Sequence, residues 1–511
     1  MDIPATLNIA GADLTVAVVG TGIMGRGIAQ IHAAAGIRTL LFDAQAGAAQ
    51  AARHYIADQF TKLAAKGRIT ADAARANTAR IEIVADIAGL AAAQVLIEAI
   101  VEALEPKRAL FAALEKIVSA DAILASNTSS LQVTAIASKA LRPERIAGFH
   151  YFNPVPLMKV VEVIDGVMTA PWVGEALTAL AIRTGHTPVR AKDTPGFIVN
   201  HVGRGLGTES LAIEREGIAD IHALDRVLKD VAGFRMGPFE LYDLTGLDVS
   251  HSVIESIYNQ YYGEPRYRPS PLTGQRVAAG LYGRKSDGRG FYRYIKGDMQ
   301  KPAEPTVPGA TVPPVWVSPV GFGAALRELI VTLGGRVESG PQPSAEALIL
   351  AAPLGDDATT TALAAGLDPT RLIAVDLLMS TTKRRTIMTT PVTQIAMRDA
   401  AHALLARDNV PVTVIHDSPG FIAPRVVAHI VNIACDIAQQ RIASPVDIDR
   451  GAVLGLGYPS GPLAWGDSLG PRRVLTILEA MESFYGDPRY RPSPWLKRRA
   501  LLGVSLLMPE Q

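Results

Sequence analysis

His150 opens the stretch HYFNPVPLMKVVEVI, and Glu162 lies near its end, on what reads as the next strand. Neighbouring strands of one sheet would bring the carboxylate to the imidazole. A carboxylate bonded to one ring nitrogen fixes the tautomer and leaves the other nitrogen to take a proton from an alcohol. Both residues also have a plainer reading, since strand-end histidines are often structural and strand-end acids often solvated. Ser126 and Asn127 in ILASNTSS supply polar groups for such a site, or equally a polar turn or helix N-cap. Glu98, Glu102 and Lys107 in LIEAIVEALEPKRALF read as site residues or as an exposed helix face.

The elements that must hold these residues begin with LTVAVV at 14–19, an unbroken apolar run that reads as a buried strand. Gly20-Thr21-Gly22-Ile23-Met24-Gly25 follows and matches G-x-G-x-x-G. RGIAQIHAAAG then continues at helical spacing and stops at Gly36. Strand, turn and helix thus come in the order of a dinucleotide site: Gly20 for the tight turn, Gly22 for close approach of a pyrophosphate, Gly25 for helix-on-strand packing. The helix N-terminus supplies the positive end. The next strand, RTLLFD, ends in Asp43, where a carboxylate accepts both ribose hydroxyls and repels a 2′-phosphate, favouring NAD over NADP. Further strands are legible at 81–84, 94–101, 122–127 and 145–152, mostly separated by helical patterns. The expected sheet is mostly parallel and doubly wound, with Glu98, Glu102, Ser126, Asn127, His150 and Asn153 at or just beyond the carboxyl ends of its strands.

Composition narrows the partners. Lys+Arg is 50 and Asp+Glu 49, so no global basic field is available for nucleic acid or an anionic membrane surface. The one cysteine, Cys435, excludes an intrachain disulfide framework, and MDIPATLNIAGADL lacks the features of a signal peptide. A reducing cytoplasm is the expected compartment. No apolar run reaches the roughly 20 residues a bilayer span needs. There is no HExxH and no paired CxxC, so no metal is expected. A chain of 511 residues exceeds one ordinary core and should form three or four domains.

GTGIMGRGIAQ, LIEAIVEALEPKRALF, ILASNTSSL, GFHYFNPVPLMKVVEVI and DTPGFIVN, in this order, resemble the NAD-dependent L-3-hydroxyacyl-CoA dehydrogenase family over residues 14–295. The resemblance implies a Rossmann domain followed by a helical domain, NAD as cofactor and an acyl-CoA thioester as substrate. It makes His150 the base for oxidation and Glu162 its orienting partner. By it, Ser126 and Asn200 contact the reacting part of the substrate, while Asn153, Glu102, Lys107 and Ser126 belong to the cofactor pocket with Asp43 at the ribose. Lys66, in QFTKLAAKG, lies where the family meets coenzyme A, although a surface lysine is an equal reading. The layout, with no hydratase module in front and an added C-terminal repeat, also resembles bacterial dehydrogenases of phenylacetate catabolism. That resemblance implies 3-hydroxyadipyl-CoA as the substrate, with a fatty 3-hydroxyacyl-CoA of β-oxidation as the alternative. A dehydrogenase of free hydroxy or sugar acids and a non-catalytic NAD-binding assembly protein are the rival readings.

The second half repeats the first. DTPGFI at 193–198 returns as DSPGFI at 417–422, MGPFELYDLTG as SGPLAWGDSLG, and EPRYRPSP at 264–271 as DPRYRPSP at 487–494. Three aligned landmarks mark a duplication of roughly a hundred residues. Between a Pro-rich linker at 301–314 and Asp417, shorter strand and helix patterns echo the first domain without its chemistry. Ser318-Pro319-Val320 replaces the opening glycines, Asp376 falls where His150 would, no acid matches Glu162, and Pro424 stands for Asn200. The expected domains are a Rossmann domain at 1–192, a helical domain at 193–300, a degenerate Rossmann-like domain at 315–414 and a second helical domain at 415–511. The two helical domains are expected to pack as an internal pseudo-dimer, with further homodimerisation open.

Overall fold

Eight runs rich in Val, Ile and Leu form the first sheet: β1 (Thr15–Val19), β2 (Arg38–Phe42), β3 (Ile81–Ile83), β4 (Val95–Glu98), β5 (Ile123–Ser126), β6 (Ile146–Tyr151), β7 (Val160–Asp165) and β8 (Thr187–Lys192). The computed structural model describes residues 4, 7–284 and 288–510. The strand order is β3-β2-β1-β4-β5-β6-β7-β8. All pairs are parallel except β6 with β7, so the first six strands are wound as in a dinucleotide-binding fold. The order reverses between β1 and β4, and the crevice beyond their carboxyl ends is where such sheets take ligands. The strand expected at 94–101 ends at Glu98, because the Glu98 carboxylate accepts the Ile100 N–H at 2.7 Å and turns the chain out of the sheet.

The chain divides into two compact units, one of Met1–Asn200 with Gln440–Leu456, the other of His201–Gln439 with Gly457–Gln511. In the first, Val16, Val18, Ile28, Ile97 and Phe149 belong to a continuous core between sheet and helices. The helix Pro445–Leu456 packs on β7 and β8 of this unit, and the Lys192 N–H donates to the Ile442 carbonyl at 2.8 Å.

The second unit contains a hairpin of β9 (Arg293–Ile295) and β10 (Asp298–Gln300), and a sheet of β11 (Val315–Gly321), β12 (Leu348–Ala352), β13 (Leu372–Val375), β14 (Arg385–Thr389) and β15 (Val412–Ile415). The sheet order is sequential. Among the described residues it therefore never reverses, and it lacks the switch point that opens a ligand crevice. β13 pairs antiparallel with β14, as β6 does with β7, and the Asp376 N–H donates to the Thr386 carbonyl at the register where His150 faces Glu162 in the first sheet. The proline-rich segment is held rather than loose. Arg226 donates to the carbonyls of Pro302 and Ala303, and Arg384 pairs with Glu304 at 2.6 Å and Asp230 at 2.8 Å.

Asp376 and Thr386 are both buried, and neither Asp376 Oδ2 nor Thr386 Oγ1 has a hydrogen-bond partner among the described residues. Burial pushes the Asp376 carboxyl up to about 7, against the pull of the Leu378 N–H. A raised acid favours the folded state only while neutral, so stability is lost as pH rises from about 4 through about 7. Asp376→Asn mimics the neutral acid. Its melting temperature should match the parent near pH 4 and exceed it at pH 8; equal melting at pH 8 would contradict the burial argument.

The two helical segments of the repeat meet within this unit. Arg266 donates to the Arg491 carbonyl at 2.9 Å, Arg489 to the carbonyls of Pro265 and Arg266, and Arg268 pairs with Asp487 at 2.8 Å. The duplicated octapeptides thus lie against each other. Beneath them Glu209, fully buried, accepts from Arg425 at 2.6 Å, Arg489 at 2.7 Å and the Tyr490 hydroxyl at 2.9 Å. No helix among the described residues is long and apolar enough to cross a membrane.

Candidate active site

The antiparallel register of β6 and β7 sets His150 directly opposite Glu162. The His150 Nδ1–H donates to Glu162 Oε2 at 2.6 Å, since an ionised carboxylate only accepts, and the basic lone pair is left on Nε2. Both side chains are buried. Phe152 and Phe197 flank the ring, with centroids at 4.4 and 5.9 Å. The other carboxylate oxygen, Glu162 Oε1, accepts the N–H groups of Ile198 and Val199 at 2.9 Å each. Those two donors start the helix Val199–Arg215, so one carboxylate joins the imidazole to the helix carrying Asn200. Asn200 is half-buried, and its amide donates to the Ser129 carbonyl at 3.4 Å.

A second buried network ties the ends of β4 and β5. Glu98 accepts from Lys107 Nζ at 2.5 Å and from the Ser126 hydroxyl at 2.6 Å. Ser126 is fully buried, and its one hydroxyl proton is donated to Glu98. The hydroxyls nearer the surface are those of Ser129 and Ser130, which the sequence reading missed. The signal was present in ASNTSS: a hydroxyl on the last residue of a buried strand packs inward, while Ser129 and Ser130, three and four residues further on, are only half-buried. Lys107 is also buried and is engaged by Glu98 and, at 3.3 Å, by Glu102. Its ammonium is therefore enclosed by two carboxylates rather than lying on an exposed helix face. Glu102 Oε1 accepts from Thr128 Oγ1, Ser129 N and Ser130 N. Burial pushes the Glu102 carboxyl up, but Lys107 and these donors outweigh it and hold it below the usual range. Asn127 Oδ1 accepts the Tyr151 N–H at 2.8 Å and so ties the ends of β5 and β6 together.

The glycine turn fits a dinucleotide. Gly20 has φ +90°, and a Cβ on Gly25 would run into the Gly20 carbonyl, so both positions require glycine for the helix Ile23–Ala34 to begin where it does. Around Gly22 no atom lies within 4 Å of where a Cβ would be, an open approach for a pyrophosphate. Ile23 is exposed and Met24 half-buried in the first turn. Asp43, just past β2, accepts from Thr21 N at 2.7 Å and Thr21 Oγ1 at 2.8 Å on one oxygen and from Gln45 N at 2.9 Å on the other. Burial acts to raise its carboxyl, yet the donors of Gln45 and Thr21 hold it below the usual range, ionised and able to accept ribose hydroxyls. Asn153 is exposed in the turn after β6. Lys66 caps the end of helix Ala48–Ala65, exposed and outside the dyad's hydrogen-bond network.

A base whose tautomer is fixed, near the carboxyl end of a strand in the same sheet as a dinucleotide cradle, is equipped to take the proton of an alcohol that gives hydride to a bound cofactor. Proteins to which this chain is similar are named as dehydrogenases. The family model described as "3-hydroxyacyl-CoA dehydrogenase, NAD binding domain" matches residues 15–194, and that of the C-terminal domain matches twice, at 196–294 and 420–505. A 3-hydroxyadipyl-CoA dehydrogenase of Escherichia coli K12 is 37% identical over 96% of this chain and 98% of its own length. A probable 3-hydroxybutyryl-CoA dehydrogenase of Deinococcus radiodurans is 39% identical over 54% of this chain and 99% of its own. The crystal structure of a 3-hydroxybutyryl-CoA dehydrogenase from E. coli K12 superposes with a TM-score of 0.84 at 37% identity, covering 97% of this chain and 99% of that one. This chain belongs to the NAD-dependent 3-hydroxyacyl-CoA dehydrogenase family.

Proposed function

We propose that the chain oxidises (S)-3-hydroxyadipyl-CoA to the 3-keto thioester in the cytoplasm, with His150 as base and Glu162 as its orienting partner. The observation that carries the chemistry is the 2.6 Å His150–Glu162 bond, on the same sheet whose first strand leads into the glycine turn. The acyl chain is drawn from the E. coli 3-hydroxyadipyl-CoA dehydrogenase, which this chain matches across both repeats. Bound NAD would be held by the Gly20–Gly25 turn and Asp43 and supplies the acceptor for hydride from C3. His150 Nε2 takes the hydroxyl proton, and the resulting imidazolium is stabilised by Glu162. Its Nε2–H, with the Asn200 amide, then donates to the carbonyl oxygen that forms.

In the second half other residues stand at the matching positions among the described residues. Asp376 and Thr386 stand for the dyad, and Val320 for the glycine at which a pyrophosphate would approach. We read it as catalytically silent, its helical segment forming an internal pseudo-dimer with the first. The test is NADH formation from NAD with (S)-3-hydroxyacyl-CoA thioesters of four, six and more carbons and their ω-carboxylated forms. The adipyl thioester should have the highest kcat/KM; a preference for the unsubstituted C4 or C6 thioester would move the substrate to β-oxidation. Equal rates on free hydroxy acids would overturn the thioester reading.

A further inference from the structure

Seventeen residues of the silent repeat, Gln440–Leu456, fold with the unit that holds the dyad. Their helix, Pro445–Leu456, carries Gly451 and Gly455 one turn apart on one face. Glycine inside a helix is destabilising relative to alanine, and neither glycine has the left-handed φ that would demand it. What demands it is proximity. A Cβ on Gly455 would lie 2.8 and 2.9 Å from the two methyls of Val199, and one on Gly451 3.0 Å from Ile198 Cγ2. Ile198 and Val199 are the residues whose N–H groups hold Glu162. Counted back from the matching pairs Gly237-Pro238 and Gly461-Pro462, the same two positions in the first repeat are Val227 and Val231. The glycines belong to the copy that faces the dyad.

We infer that Gly451 and Gly455 are positioning residues: the silent repeat supplies a helix whose glycine face sets the depth of Ile198 and Val199, and through their N–H groups the placement of Glu162 and His150. The inference rests on the reading of His150 and Glu162 as the catalytic pair. The linkage is short. Val199 packs on Gly455, its N–H donates to Glu162 Oε1 at 2.9 Å, and Glu162 Oε2 accepts from His150 at 2.6 Å. Pushing the helix start outward by about 1 Å displaces the base by a comparable amount, and misplacement on that scale costs up to about 10²-fold in rate. The cofactor cradle, on β1 and its following helix, is not in this chain of contacts.

The experiment places the first repeat's own side chain in the second. Gly455→Val is expected to lower kcat roughly 10- to 100-fold while KM for NAD changes less than about twofold. Adding Val199→Ala removes both methyls that the new valine presses on, and the double variant should regain at least about tenfold in kcat. If Gly455→Val does not give a cooperative melt, Gly455→Ala, which adds the single Cβ, takes its place with the same compensating change. Wild-type kcat in the folded single variant would overturn the proposal, as would a loss that Val199→Ala does not relieve or a parallel loss of NAD binding. Full activity of His150→Gln would instead remove the dyad reading, whatever position 455 shows.

Discussion

Replacing His150 by glutamine is expected to lower kcat by about 10²- to 10⁴-fold, the range that positioned general bases contribute, while leaving NAD binding intact. Glutamine can still donate from its amide to Glu162 Oε2, so the buried carboxylate keeps a partner and the start of the helix Val199–Arg215 keeps its acceptor. What disappears is a group able to take the hydroxyl proton. The cofactor groups, Gly20, Gly22, Gly25 and Asp43, lie on other strands and turns and are not altered. The measurements are initial rates of NADH formation and an NAD titration by fluorescence. A variant retaining more than about a tenth of wild-type kcat would show that some other group accepts the proton. Glu162 is the less clean target, because its carboxylate serves both the imidazole and two backbone donors.

The largest stability effect should come from the second unit, at Glu209. Its carboxylate is fully buried between Arg425 and Arg489, and Glu209→Ala leaves two guanidinium groups in the core short of a counter-charge. Removing one partner of a buried pair typically costs about 3 to 5 kcal/mol. Arg425 keeps Glu216 at 2.9 Å and Arg489 keeps the Thr208 hydroxyl at 2.9 Å, which puts the expected loss near the lower end. Thermal or urea melts at pH 7 check it, and an unchanged transition would mean that the cluster contributes nothing. The pH dependence has a definite sign. Burial alone would raise the Glu209 carboxyl, but Arg489, Arg425 and His429 together hold it well below its ordinary 4.5. Such a group stabilises the fold fully above about 4.5, and the contribution is lost as pH falls below that value. The gap between parent and variant should therefore narrow in acid.

Exposed polar surface does not explain why EPRYRPSP and DPRYRPSP were both kept. Each octapeptide carries arginines that donate to the other copy's backbone or acids, so the two cannot drift independently without losing buried hydrogen bonds. Arg266 and Arg489 are both buried in these contacts, which leaves neither exposed to an anionic ligand.

Local chemistry was enough to read the dinucleotide turn, Asp43 at the end of β2, and the pairing of His150 with Glu162. Each depends on a short stretch whose geometry follows from strand and turn periodicity: a turn of fixed length, a strand ending in an acid, two consecutive antiparallel strands in register. The burial of Ser126 and Lys107 and the strand end at Glu98 were not legible, because their surroundings come from three different segments. A lysine in LEPKRALF looks solvated until Glu98 and Glu102 are seen to enclose it, and a serine in ASN looks available until Glu98 takes its hydroxyl. The repeat, likewise, was plain as a pattern, but pattern matching carries no information about which copy packs on which sheet. That assignment depends on complementarity of volume across more than two hundred residues of chain, with Gly451 and Gly455 opposite Ile198 and Val199, and volume is matched only when the helices are in contact.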